Sequence, residues 1–271
     1  MKPVTVLKLG GELVEDPARI GALARAIARL GTRGPLVIVH GGGREIDAAL
    51  AQAGLPKRQV DGLRVTDAAT LPIVVGVLAG EVNTRFVAAI NAAGGAAVGL
   101  TAADAGVAPV TRAPAHRTAR GERVDLGLVG RPVSTGTPAL LGVLMRAGFV
   151  PVVASIGATR QGTLLNVNAD TLAGSLAARL KARRLIVAGG TAGVLDAGGR
   201  TMPSLSARDR RRLVATGTAS AGMVAKLAAC QAALAGGVRD VVIADGRDPR
   251  RLAALAAGEH DGDGAWTRLI A

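Results

Sequence analysis

The chain has 271 residues, 49% hydrophobic and 20% charged, which excludes a disordered tail and allows a core that needs no metal or disulfide staple. Its 33 basic and 20 acidic residues give a net charge of +13 and point to anionic partners; 1% aromatics, with no Tyr, argue against stacking on single-stranded nucleic acid. The lone Cys230 excludes an internal disulfide and a multi-cysteine zinc site, and a reducing cytoplasm is expected, with no signal segment, no membrane-length apolar run and no membrane partner.

An apolar run over 4–9 predicts a strand ending on Gly10-Gly11. Asp16 before Pro17 supplies an N-cap and first helical position, Ile20, Leu23, Ala24, Ile27 and Leu30 follow at helical spacing, and residues 31–35 close the helix. Residues 36–39 read as a buried strand running into His40-Gly41-Gly42-Gly43, with a helix over 44–53 behind it. Thr66 is expected to cap a helix carrying Leu71, Val74, Val75 and Leu78, with Pro72 in its first turn or at a kink. A helix over 83–93 and a strand over 96–100 follow. Residues 107–133, short and punctuated by Gly and Arg, predict one or two β-hairpins, as in a flap. Helices over 140–147, 169–180, 206–215, 223–235 and 249–257 then alternate with strands over 150–154, 185–188 and 241–244, and 267–270 reads as a final edge strand. This alternation implies an α/β fold with a mainly parallel sheet covered on both faces, whose ligands sit at the carboxyl ends of the strands.

Those ends carry glycines. Strand, glycine turn and helix in succession let backbone N–H groups approach an anion, at Gly10-Gly11 and at Gly41-Gly42-Gly43. A P-loop, a dinucleotide fingerprint and a nucleophile elbow are all absent. His40, His116 and His260 lack metal-ligand spacing, and His40 suits a structural hydrogen-bonding role better than that of a general base. The Arg clusters at 208–212 and 247–251 suit solvated helix faces better than a polyanion site, so no nucleic-acid partner is expected. The lysines say more. Lys8 is a charge inside an apolar strand, costly unless paired, and Lys226 lies one turn into the helix after Ala221-Gly222-Met223. Either could deliver point charge to a phosphate. Asp170, in Asn166-Val167-Asn168-Ala169-Asp170, could be a plain helix-start acid or a carboxylate that holds two lysines.

The ordered set Lys8-Leu9-Gly10-Gly11, His40-Gly41-Gly42-Gly43, Gly62-Leu63-Arg64-Val65-Thr66, Asn166-Val167-Asn168-Ala169-Asp170 and Gly222-Met223 with Lys226 resembles the amino acid kinase family, and within it the enzymes that phosphorylate N-acetyl-L-glutamate. The resemblance spans nearly the whole chain. It implies a three-layer αβα sandwich with an open, mainly parallel sheet, an acyl-amino-acid-binding and dimerising part over 1–182, and a nucleotide-binding part over 183–271. It also implies a cytoplasmic homodimer that uses ATP with Mg²⁺ in arginine biosynthesis. Lys8, Lys226, Asp170 and Gly11 would serve phosphoryl transfer; Gly42, Gly43, Arg64 and Asn166 would hold the acceptor; Gly190, Thr191, Gly193, Leu195, Thr218 and Ser220 would line the nucleotide. The chain departs from the family pattern at Gly190, where an acidic residue is usual, and at Ala221, where Gly or Asp is usual. A kinase of a related acyl amino acid such as aminoadipate, or a catalytically silent regulator of the same fold, are the alternatives.

Overall fold

The computed structural model describes residues 2–118, 121–134, 136–259 and 264–270. Its main sheet holds β1 (Thr5–Leu9), β2 (Leu36–His40), β3 (Ala97–Thr101), β4 (Val150–Ala154), β5 (Arg184–Gly189), β6 (Ser204–Leu205), β7 (Asp240–Asp245) and β8 (Trp266–Leu269), in the order β6-β8-β7-β5-β1-β2-β4-β3. The six strands from β7 to β3 are parallel, while β8 runs antiparallel to β7 and carries β6 parallel to itself. The last strand is therefore not an edge: the two-residue β6, too short to register as a sequence period, covers it.

Successive strand residues face opposite sides of a sheet. Val6, Val37, Leu185 and Val241 enter one core, and Leu7, Ile38, Ile186 and Val242 enter the other. Each core is roofed by helices, which gives three layers. On the first face lie α5 (Ala139–Arg146), α6 (Ala169–Arg179), α7 (Ala207–Ala215) and α8 (Ala221–Ala235), through Leu141, Leu172, Leu213 and Leu227. On the second lie α1 (Gly11–Val14), α2 (Pro17–Arg33), α3 (Gly43–Gln52), α4 (Thr70–Ala92) and α9 (Pro249–Ala257), through Leu13, Ile27, Leu50, Phe86 and Leu255.

α2 ends at Arg33, within the expected 31–35, and Gly31 lies inside it; a Cβ at Gly31 would lie 2.7 Å from the Val150 side chain, so packing on β4 demands the glycine. Two local expectations are corrected. Thr66 does not cap α4. It is buried, and Asp67 Oδ1 accepts from Thr70 N at 2.8 Å instead. The two helices expected over 66–93 are one, α4, made continuous by a π-helical segment, Gly76–Val82, with Pro72 in the first turn. At 23 residues and a window mean hydropathy of 1.6, α4 is long and apolar enough to cross a membrane, yet Val74, Leu78, Val82, Phe86 and Ile90 are buried in the second core.

The expected hairpins form. Val110–Arg112 pairs antiparallel with Val129–Pro132, and His116–Arg117 with Arg123–Val124; residues 119–120 between the latter two lie outside the described residues. Val129–Pro132 also pairs with Leu164–Val167, which pairs with Ile156–Ala158, giving a second, four-stranded sheet.

Candidate active site

At the carboxyl ends of β1, β2 and β4 a cleft of about 310 Å³ opens. Its floor is the two glycine turns, Gly10-Gly11 and Gly41-Gly42-Gly43, and Val129 and Asn166 of the second sheet form part of its wall. The turns approach closely: a Cβ on Gly11 would meet Gly42 Cα and Gly43 N at 3.0 Å each, so no other residue fits without movement. Beneath them His40 is fully buried and fixes the second turn. The Asn83 amide nitrogen, which only donates, lies 3.0 Å from His40 Nε2 and 2.9 Å from the Val152 carbonyl. Nε2 therefore accepts, and Nδ1–H donates to Gly41 O at 3.1 Å. Burial holds this imidazole down at about 4, so it is neutral near pH 7 and structural, as the sequence suggested.

Lys8 shares the strand face of Val6, which points toward α6 and α8. There its ammonium meets Asp170 Oδ1 at 2.8 Å, and Lys226 Nζ lies 4.0 Å from the same oxygen. These three residues, 218 positions apart at the extremes of the chain, are brought together by small residues between the helices. A Cβ on Gly174 would lie 2.7 Å from Ala229 O, so α6 and α8 cross in near contact one turn beyond Asp170 and Lys226. Asn168 Oδ1 caps α6 through Thr171 N at 2.9 Å and leaves the Asp170 carboxylate to the lysines. Burial alone would push the Asp170 carboxyl up, but Lys8 and Lys226 outweigh it and hold it below its ordinary value, so it is ionised. Burial pulls Lys226 down, opposed by Asp170. Cys230, one turn on, is fully buried and pushed up to about 12, an inert thiol.

Elsewhere on the cleft wall the two prongs of the Arg64 guanidinium are placed differently. One prong, Nη2, is spent on Asp47 and on Gly43 O at 3.1 Å. The other, Nη1, is buried with no hydrogen-bond partner among the described residues, and Arg64 lines the cleft. A buried guanidinium nitrogen left unpaired is costly unless a ligand meets it. Burial pushes the Asp47 carboxyl up, but bonds from Lys57 and Arg64 hold it low, so the anchor stays charged. Asn166 donates to Thr66 Oγ1 at 3.0 Å, which orients its amide at the cleft.

The residues expected to line a nucleotide are placed more loosely. Gly190 adjoins the cleft: its N–H donates to Glu12 Oε1 at 2.8 Å. Gly193 has φ +80° and packs on Thr267, Leu195 is 41% exposed, and Thr218 bonds Thr216 at 2.9 Å. Ser220 caps α8 through Met223 N at 3.4 Å. Thr191, Gly193, Leu195, Thr218 and Ser220 are not part of the cleft wall; they lie on the loop after β5 and on the turn before α8. Sequence reasoning missed Glu12, because its partner is 178 positions away and one acid after a glycine turn carries no pattern. No group of three or more His, Cys, Asp or Glu able to hold a metal occurs among the described residues, and His260 lies outside them. Hollows at the opposite, amino ends of the strands are lined by Arg183, Arg184 and Arg239, and Arg184 donates to the Leu255 carbonyl in the last turn of α9.

The model of the amino acid kinase family matches residues 3–245. A protein named acetylglutamate kinase from Dinoroseobacter shibae is 41% identical over 258 residues, 95% of this chain and 86% of that protein. A second of that name, from Rhodopseudomonas palustris (strain BisB18), is 43% identical over 91% of this chain and 84% of its own length. Among solved structures, the N-acetylglutamate synthase from Neisseria gonorrhoeae, complexed with coenzyme A and N-acetyl-glutamate, superposes with a TM-score of 0.82 at 26% identity. That match covers 99% of this chain but 59% of the synthase chain. A carbamate kinase from Giardia lamblia bound to AMP-PNP, at 14% identity and a TM-score of 0.69, shares the fold.

Proposed function

This chain belongs to the amino acid kinase family, and we propose that it transfers the γ-phosphoryl group of ATP to the γ-carboxylate of N-acetyl-L-glutamate, giving N-acetylglutamyl 5-phosphate and ADP. The observation that carries the reading is Asp170 set against both lysine ammoniums, in a cleft floored by two glycine turns.

The chemistry suits these groups. A γ-carboxylate with an ordinary pKa near 4.3 is already ionised at neutral pH, so its oxygen attacks the γ-phosphorus without a general base while the bond to the ADP oxygen breaks. What the reaction lacks unaided is a means of holding two mutually repelling anions in line. Lys8 and Lys226 neutralise charge on the transferring group, and Asp170 keeps the two ammoniums together. The unpaired Nη1 of Arg64 takes a carboxylate of the acceptor, beside the Asn166 amide. Residues 1–182 carry the acceptor side and 183–271 the nucleotide side, with Gly190, Thr191, Gly193, Leu195, Thr218 and Ser220 along the nucleotide. Mg²⁺ enters as part of the nucleotide substrate. The same reading includes a role in arginine biosynthesis, a cytoplasmic location and a homodimer, the last checked by light scattering on the purified protein.

The deciding experiment offers ATP with N-acetylglutamate, aminoadipate or glutamate and traps acyl phosphate as hydroxamate. Turnover only with N-acetylglutamate is expected. Preference for aminoadipate moves the assignment to another acceptor, and no turnover with any of them ends it.

A further inference from the structure

Glu12 stands in neither the acceptor nor the lysine machinery, yet it ties the first glycine turn of the cleft to the loop after β5. It follows the first glycine turn and reaches across to β5, where Oε1 takes the Gly190 N–H at 2.8 Å. Its carboxylate lies over Gly10, within 2.6 Å of where a Cβ would be. It also comes within 3.2 Å of a Cβ placed on Gly189, a point that is 3.5 Å from Lys226 Nζ. A carboxylate thus holds a backbone amide that the glycine turn would otherwise present to an anion, beside an ammonium that attracts the same anion. It also brings the cleft's facing charges to balance, two lysines against Asp170 and Glu12.

We propose that Glu12 is a charge gate on the nucleotide side: its carboxylate occupies the Gly190 amide in place of a phosphate oxygen, and so selects the divalent-cation complex of a nucleoside triphosphate over the bare polyanion. The inference rests on the reading of this cleft as a kinase site. A phosphate that claims the Gly190 N–H must displace Glu12, which then remains close by, because α1 is held against the core by Leu13 and Val14. Two like charges about 5 Å apart in a partly screened site repel. A bare triphosphate carries about twice the charge of its cation complex, so it meets about twice that repulsion.

The test is calorimetric binding of AMP-PNP to the intact protein, once with excess Mg²⁺ and once in EDTA. Wild type is expected to bind the Mg²⁺ complex well and the bare nucleotide poorly. Glu12→Gln keeps the oxygen acceptor and removes the charge; it is expected to tighten bare AMP-PNP by about tenfold and the Mg²⁺ complex by about threefold or less. Glu12→Asp keeps the charge on a shorter stem that no longer reaches Gly190; discrimination should persist while the ligand-free melting temperature falls. Unchanged affinity for the bare nucleotide in a folded Glu12→Gln protein overturns the gate. So does a weaker Mg²⁺ complex, which would make Glu12 a ligand of the metal instead. Failure of wild type to bind AMP-PNP in both conditions would count against the kinase reading itself.

Discussion

The cleft and the loops beyond it are built differently. Around the lysines and Arg64 the polar groups are buried and nearly all committed: Lys8 and Lys226 to Asp170, Arg64 Nη2 to Asp47 and Gly43 O, and the neutral His40 to Asn83 and Gly41 O, with Arg64 Nη1 left open. On the loop after β5 and the turn before α8, outside the cleft wall, the residues are glycines, hydroxyls and an exposed Leu195, joined by turn hydrogen bonds. Buried charge is held in one geometry because any other leaves it unpaired, at a cost of several kcal/mol. Exposed turns carry no such penalty and tolerate change. Single substitutions in the buried cleft should therefore have far larger effects than substitutions in the exposed turns.

The largest expected effect is from Lys8→Ala. Loss of one preorganised donor at a site of developing charge costs on the order of 10²–10³ in rate. Asp170 keeps Lys226, so the fold should survive, and a melting curve checks that. A kcat within threefold of wild type in the hydroxamate assay would remove the lysine side from the mechanism and the contrast with it.

Acid should expose the same asymmetry through His40. Its folded value, about 4, lies below the ordinary 6.5, so between those values the unfolded chain binds more protons. The corresponding stability is fully present above pH 6.5, falls as pH drops, and levels off below about 4, for a total of up to about 3 kcal/mol. Asp170, also held low, adds its own loss only below its ordinary 3.8, which keeps the two windows apart. Urea unfolding at several pH values should show this slope in wild type and a flatter one in His40→Gln. Equal slopes would mean that His40 is not the neutral prop of the Gly41 turn.

Arg64→Ala comes next. Charge-assisted bonds to a carboxylate contribute about 1.5–3 kcal/mol, so KM for the acyl amino acid should rise about 10- to 100-fold while KM for ATP moves little. Equal rises in both would place Arg64 in the fold of the cleft and not at the acceptor.

What was legible in the sequence follows the same division. Lys8 drew attention because a charge in an apolar strand needs a partner, and Asn166 to Asp170 because the segment resembles a known pattern; the structure brings Lys8, Asp170 and Lys226 together. The strands were readable because both faces are buried, which leaves an unbroken apolar run. Glu12 was invisible, since its meaning lies in one hydrogen bond to Gly190 across 178 positions. The start of α4 was misread for a related reason: locally Thr66 could serve as well as Asp67, whose Oδ1 takes the Thr70 N–H. A tertiary contact decided it, with Thr66 pulled inward to accept from Asn166.

Ser220→Ala probes the contrast from its weak side. The hydroxyl caps α8, the helix that carries Lys226, so a local view makes it as important as the lysine. Its bond to Met223 N is long, 3.4 Å, and Ser220 is exposed, so the cap is worth about 1 kcal/mol or less. The position of α8 is set further along, where Leu227, Cys230 and Ala233 are fully buried and Ala229 O abuts Gly174. Those contacts remain when the cap is lost. The melting temperature should fall by a few degrees, kcat should stay within threefold, and KM for ATP should rise by no more than about threefold. A hundredfold loss of kcat would show that the exposed turn, and not the buried crossing of α6 and α8, holds Lys226 over Asp170.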